Sequence, residues 1–408
     1  MVRRLSVAVG AAVMVLGLLA PTMASATVDT SYGWDYRALS VNGTYTMLRG
    51  QFAGDDATDL LFYGAGSAPD SLWIGKTGTK GTDGFTKVPL TINLTAVPVV
   101  GDFAGDDYDD ILFYGKGTNA DALYTSTETS DYFSVSKLTI SGTNYKPKAL
   151  LDYRAVGTKD DVLFLGPGST RDFLWHFTDS PGTADYIGPG TFTSQARTVN
   201  GAYQLISGDF NGDYLDDVVL YQPGTAADYK WTSSASGAFT QTSLSISGTY
   251  QPVTVRHSQY DGIYWWASGA GNEAYWVSNG TSFVNKTVQQ FPEFKGTAAT
   301  YGGDGVLIRS DQSGDTGRDA YVSATTTSAK TYYLANPSHD FNTATQFAEG
   351  DFDGDDHFDT IWYGPGTRKD EVWYGLPAAA SAPARSAAAS GPEAPAPAAA
   401  KVTPIVER

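Results

Sequence analysis

Short, unbroken apolar runs recur along the chain, each fenced by Asp on one side and Gly or a turn on the other: Leu60–Tyr63, Ile111–Tyr114, Val162–Leu165, Val218–Tyr221 and Ile361–Tyr363. Apolar residues in sequence, without polar alternation, are the mark of a strand covered on both faces. Helical readings fail over the same region, because Gly and turn residues interrupt every few positions and no amphipathic 3.6-residue period develops. The pattern predicts an all-β protein.

Each run is followed by a Gly-containing turn, an acidic residue and, in most copies, an aromatic three positions later. Aligned on that acid there are seven copies: Asp70 with Trp73, Asp121 with Tyr124, Asp172 with Trp175, Asp228 with Trp231, Glu273 with Trp276, Asp319 with Val322, and Asp370 with Trp373. Their separations are 51, 51, 56, 45, 46 and 51 residues. A period near 50 suits a four-stranded propeller blade and is too long for a leucine-rich or ankyrin unit. The expected fold is a seven-bladed β-propeller of about 50-residue, four-stranded blades.

Six units continue into a further strand, such as Lys137–Thr143 or Ser243–Thr249, but the seventh stops at Leu376. The segment Arg37–Thr44 resembles those outer strands and precedes the first unit. It is expected to complete the last blade, pairing edges that would otherwise lie open.

Ahead of several apolar runs lies an acid-rich loop. Asp351, Asp353, Asp355 and Asp359 alternate through one turn; Asp209, Asn211, Asp213 and Asp217 repeat the spacing. Asp102, Asp106 and Asp110 keep it with Ala104 in the second place, and the first unit retains only Asp55 and Asp59. Carboxylates gathered this closely repel one another unless a hard cation shares their oxygens, as calcium does with about six to eight oxygen ligands.

These loops resemble FG-GAP repeats, the calcium-loop units of the integrin alpha-subunit propeller, also called VCBS repeats in bacterial secreted proteins. The resemblance spans about residues 30 to 376. It implies calcium at the Asp351 and Asp209 loops, a weaker site at Asp102, and a reduced one at Asp55 and Asp59. It further implies a backbone carbonyl ligand from His357, Leu215 or Tyr108. The stretches around 153 to 161, 257 to 262 and 301 to 306 lose the spacing, and no ion is expected there.

The first 26 residues, with Arg3, Arg4, an apolar stretch from Leu5 to Leu19 and Ala24-Ser25-Ala26, read as an export signal. The mature chain is then expected outside the cell, as residues 27–376 of propeller with an Ala- and Pro-rich tail, 377–408, too poor in apolar bulk to fold. No later stretch approaches the roughly 20 apolar residues of a membrane span. There is no cysteine, so disulfides cannot staple the fold and bound calcium would take that part. Losing Arg3 and Arg4 moves the formal charge from −17 to −19, against nucleic acid or anionic membrane as partner. A monomer is expected.

The sequence holds no Gly-x-Ser-x-Gly elbow, no His-Glu-x-x-His, no Gly-Lys-Ser phosphate loop and no thiol nucleophile. The four histidines fall in different units. Aromatics stand out instead: Trp73, Trp175, Trp231, Trp276 and Trp373, with Tyr264, Trp265 and Trp266 in a row. Packing between blades accounts for recurring aromatics, and stacking on the C–H face of a sugar is the alternative. Some fungal lectins similar to this repeat class bind sugars between blades. The leading expectation is a secreted module that binds a glycan or a cell-surface protein. The alternatives are a polysaccharide lyase or hydrolase with its site at the propeller mouth, and a scaffold in a larger assembly.

Overall fold

The computed structural model describes residues 27–29, 34–53, 57–127, 131–142, 144–152, 154, 158–177, 192–257, 259–268, 272–286, 288, 296–301, 305–310, 318–324, 329–335, 345–355 and 357–375. The expected export signal, the expected tail and Asp55 lie outside them.

The described chain is built of antiparallel sheets, each a simple up-and-down succession. Six have four strands: β3 (Thr46–Gly50) to β6 (Phe85–Leu90), β7 (Val97–Gly101) to β10 (Phe133–Leu138), β11 (Lys146–Leu150) to β14 (Phe192–Arg197), β15 (Gln204–Gly208) to β18 (Thr240–Leu244), β19 (Gln251–Val255) to β22 (Phe283–Lys286), and β23 (Gly296–Tyr301) to β26 (Ala329–Ala335). The remaining sheet joins the chain ends: β27 (Gln346–Gly350), β28 (Asp359–Tyr363) and β29 (Asp370–Gly375) continue into β2 (Trp34–Leu39) and then β1 (Thr27–Asp29). The expectation of seven four-stranded blades is thus corrected to six, because β1 adds a fifth strand outside β2. Innermost strands touch in order, β3 to β7, β7 to β11 and onward through β15, β19 and β23 to β27, and β27 returns to β3. The arrangement is a closed ring.

The apolar runs form the second strand of each blade. β4 (Asp59–Tyr63), β8 (Asp110–Tyr114), β16 (Asp217–Tyr221), β20 (Gly262–Trp266) and β28 are buried at every position, as residues sandwiched between neighbouring blades must be. Core clusters accordingly straddle blades. Leu60, Phe62 and Trp73 of the first pack with Ile361, Tyr363 and Val372 of the last, joined by Leu39 and Val41.

The repeating acid fixes each blade's width. Asp70 accepts from Gly64 N and Ile92 N, both at 2.8 Å. Asp121 accepts from Gly115 and Ile140, Asp172 from Gly166 and Val199, and Asp228 from Gln222 and Ile246. One carboxylate so ties the turn before the third strand to the residue leaving the fourth. Asp370 makes the same pair of bonds, to Gly364 N and, across the chain ends, to Val41 N at 2.9 Å. A tyrosine repeats the lesson: Tyr221 donates to Gly248 O and accepts from Tyr250 N, while Tyr363 donates to Gly43 O and accepts from Tyr45 N. The N-terminal segment therefore occupies, bond for bond, the place of a fourth strand, and β2 pairs with β29 from Trp34↔Gly375 to Leu39↔Asp370.

Candidate functional site

The acidic loops join the first strand of a blade to its second, and the last acid of each sits at the head of the buried second strand. Asp59, Asp110, Asp217 and Asp359 are fully buried. Asp359 accepts from Phe352 N at 2.8 Å and Gly375 N at 2.7 Å, bracing its loop against the end of the third strand. Asp59 does the same with Phe52 and Gly75. Burial pushes Asp359 up to about 8 and Asp102 and Asp217 up to about 7, and it raises Asp110 well above the usual carboxylate range. A carboxylate held this way is short of positive charge.

The first residue of each loop is gripped by the next blade. Asp160 N donates to Asp102 O at 2.7 Å, and the Asp160 carboxylate accepts from Asp102 N at 2.9 Å. Asp109 clasps Gln51, Asp216 clasps Leu151 and Asp261 clasps Asp209 in the same reciprocal way. At the joint between last and first blades, Thr58 N donates to Asp351 O and Thr58 Oγ1 accepts from Asp351 N at 3.1 Å. Sequence reading missed these four clasping acids. The signal for three of them was the doubled acid, Asp109-Asp110, Asp160-Asp161 and Asp216-Asp217, whereas Asp261 is followed by Gly262.

Among the described residues, the structure brings one three-acid group together: oxygen atoms of Asp351, Asp353 and Asp359 lie within 4.8 Å of one another. Asp353 is buried and its Oδ1 has no hydrogen-bond partner. Asp355 stays outside that group, beside His357, whose N–H donates to Asp355 Oδ1 at 3.0 Å. The open Asp353 Oδ1, a hard oxygen beside the carboxylates of Asp351 and Asp359, fits a calcium ion. In the second loop Asp209 accepts from Gly212 and Tyr214, and Asn211 and Asp213 bond each other at 2.9 Å. Leu215 N donates to Asp213 Oδ1, and Asp217 Oδ2 is buried with no partner, an opening for an ion. In the third loop Asp110 Oδ2 already accepts from both Phe103 N and Ala104 N, and Tyr108 N donates to Asp106 Oδ1, so that loop fits an ion least.

The aromatics fall into three situations. Tyr264, Trp265 and Trp266 lie wholly inside, on β20, and offer no face to a ligand from solution. Trp73, Trp231 and Trp373 are buried with their indole N–H groups bonded to Ser71, Gln241 and Glu371, and Trp276 is half-buried against Phe283 and Trp265. Trp175, on β13 (Asp172–Phe177), is buried as well but borders a gap. It stacks on Phe192 with centroids 3.9 Å apart, and the two line a cavity of about 310 Å³ between the second and third four-stranded sheets. Phe103, Leu112, Leu123, Val162 and Phe177 make the other walls, with Ser136, Lys137 and Leu138 of β10 at the edge. Lys137 is exposed.

His257 is largely buried, hydrogen-bonded through Nε2 to the Tyr275 hydroxyl, and burial lowers it from 6.5 to about 4. The folded chain thus holds this ring neutral where the unfolded chain protonates it. Its contribution to stability is complete above pH 6.5 and is lost as pH falls toward 4, a change of about 3 kcal/mol. Denaturant titrations from pH 7 to pH 4 should show the native protein losing that much more than His257→Gln. Parallel profiles would contradict the assignment.

A ring of four-stranded antiparallel blades defines the molecule as a β-propeller. No protein-family model matches the chain, and no curated protein matches it. Solved structures do resemble it. A lectin of Agrocybe aegerita, described as recognising non-reducing terminal N-acetylglucosamine, is 13% identical with a TM-score of 0.50, over 72% of this chain and 81% of its own. A catalytically inactive virginiamycin B lyase from Staphylococcus aureus, with quinupristin, is 11% identical with a TM-score of 0.46, over 84% of this chain and 99% of its own. A peptide-bound YCF48 is 11% identical with a TM-score of 0.48, over 88% and 100%. At these identities the likeness is one of fold. Among the described residues, no helix is long and apolar enough to cross a membrane.

Proposed function

We propose that this chain is an exported, calcium-stabilised propeller of the FG-GAP type that binds a glycan without altering it, in the cavity beside Trp175. The cavity carries the reading. Its volume of about 310 Å³ falls within the range of small-ligand sites, and its wall is aromatic with a polar edge, the combination that takes a sugar ring face-on. Among the described residues its lining includes no carboxylate and no histidine, so they do not supply the acid pair that glycoside hydrolysis uses. Calcium at the Asp351 and Asp209 loops serves the scaffold, since those loops lie at blade joints.

A glycan array followed by titration of the best ligand tests this. Trp175→Ala should weaken binding by roughly two- to tenfold, the worth of one aromatic stack. Lys137→Glu, at an exposed position that leaves the fold alone, should weaken it as well, and no product should accumulate. Unchanged affinity in both variants would move the site elsewhere; product release would make the protein an enzyme.

A further inference from the structure

The loop before β28 carries one more acid at the repeating positions than its counterparts. Where it has Asp353, the Asp209 loop has Asn211 and the Asp102 loop has Ala104. That extra carboxylate has its own cation. Lys80, in the turn after β5 (Asp70–Gly75) of the first blade, places Nζ 2.9 Å from Asp353 Oδ2 and 3.9 Å from Asp355 Oδ2. With Lys80 set against Asp353, the remaining acids at the repeating positions, Asp351, Asp355 and Asp359, match in number those of the counterparts, Asp209, Asp213 and Asp217 or Asp102, Asp106 and Asp110. The turn is docked by its backbone too: Gly78 N donates to Asp353 O at 2.6 Å, and Gly81 N donates to the Tyr374 hydroxyl at 3.0 Å. Gly354 has a left-handed φ of +65°, and a Cβ there would come 2.7 Å from Thr77 Oγ1, so loop and turn are fitted closely.

We infer that Lys80 is the resident cation of this junction loop, and that a divalent ion enters only by displacing its ammonium from Asp353. Calcium needs oxygen at about 2.3–2.6 Å, and an ion on the open Asp353 Oδ1 would sit beside the ammonium that lies against Oδ2 of the same buried carboxylate. Two cations cannot share it without strong repulsion. The lysine is suited to withdrawal: its charge sits on a flexible stem, 4.9 Å from the centre of the Tyr374 ring, which can keep a cation nearby. Ion uptake and the docking of the turn are then reciprocally coupled. The loop at the meeting of the two chain ends becomes responsive to calcium in a way that the Asp209 loop, with Asn211 in place of Asp353 and Lys230 acting on Asp217 instead, is not. The displacement step rests on the calcium reading above; the pairing of Lys80 with Asp353 does not.

The full-length mature protein, Lys80→Met, Asp353→Asn and the double variant decide this, each unfolded by denaturant in EDTA and titrated with calcium chloride. In EDTA, Lys80→Met should lower the folding equilibrium constant about fivefold or more when Asp353 is present and little when it is Asn. In calcium, the uptake that Asp353→Asn abolishes should be about tenfold tighter in Lys80→Met than in the native protein. Additive effects in EDTA, or equal calcium affinity in the two proteins, would overturn the inference while leaving the calcium reading standing. Coupling in EDTA with no uptake by either protein would leave Lys80 as the loop's cation and remove calcium from it.

Discussion

Deleting residues 34–45 should abolish cooperative unfolding and make the chain rapidly degradable by protease. The segment supplies all of β2, the hydrogen bond from Val41 N to Asp370, both partners of the Tyr363 hydroxyl, and three buried apolar side chains, Tyr36, Leu39 and Val41. Those side chains alone contribute about 5–9 kcal/mol, at roughly 1.5–3 kcal/mol each, against a typical total stability of about 5–15 kcal/mol. The loss also bares the edge of β29, a template for aggregation. Deleting only residues 27–33 removes β1 and leaves β2 paired, so that variant should melt close to the parent. Equal protease resistance in both truncations would contradict ring closure by the N-terminal segment.

Chelation should have the next largest effect. If the Asp351 and Asp209 loops each bind calcium near 0.1 mM, 10 mM calcium stabilises the chain by about 2.7 kcal/mol per site, or about 5 kcal/mol in all. For a domain of this length the melting temperature should then fall by roughly 7 °C on transfer to EDTA. Asp217→Ala should erase about half of that response. It strips the buried carboxylate whose Oδ2 has no other partner. A transition indifferent to both calcium and EDTA would leave these loops as hydrogen-bonded turns.

The architecture was legible because its strongest signals are local. Runs such as Leu60–Tyr63 cannot face water on either side, and the Asp70-to-Trp73 unit returns at a blade's spacing. Even the joining of the ends showed, as a fourth strand missing after Leu376 and spare before residue 46. The fifth strand did not, since Thr27-Val28-Asp29 has no apolar run to announce it. At the site, legibility failed where partners are distant. Asp109 and Asp160 show no role from within their own repeats, yet each clasps a backbone 58 residues away on the preceding blade. Lys80 reads as an ordinary turn lysine until the ring brings it to Asp353. Tyr264, Trp265 and Trp266 drew attention as a dense aromatic patch, but an unbroken apolar run is what a covered second strand requires, and they are its core. The cavity beside Trp175 had no sequence signal, because a gap between two blades is a property of neither blade alone.

The ring is expected to rely on acidic loops that hold a divalent ion, and calorimetric titration of the mature protein with calcium chloride, after exhaustive chelation, measures that directly. The expected result is uptake at two classes of site, one lost in Asp217→Ala and the other in Asp353→Asn. Absence of heat and of bound calcium at millimolar concentrations, from a protein that is folded, would contradict it.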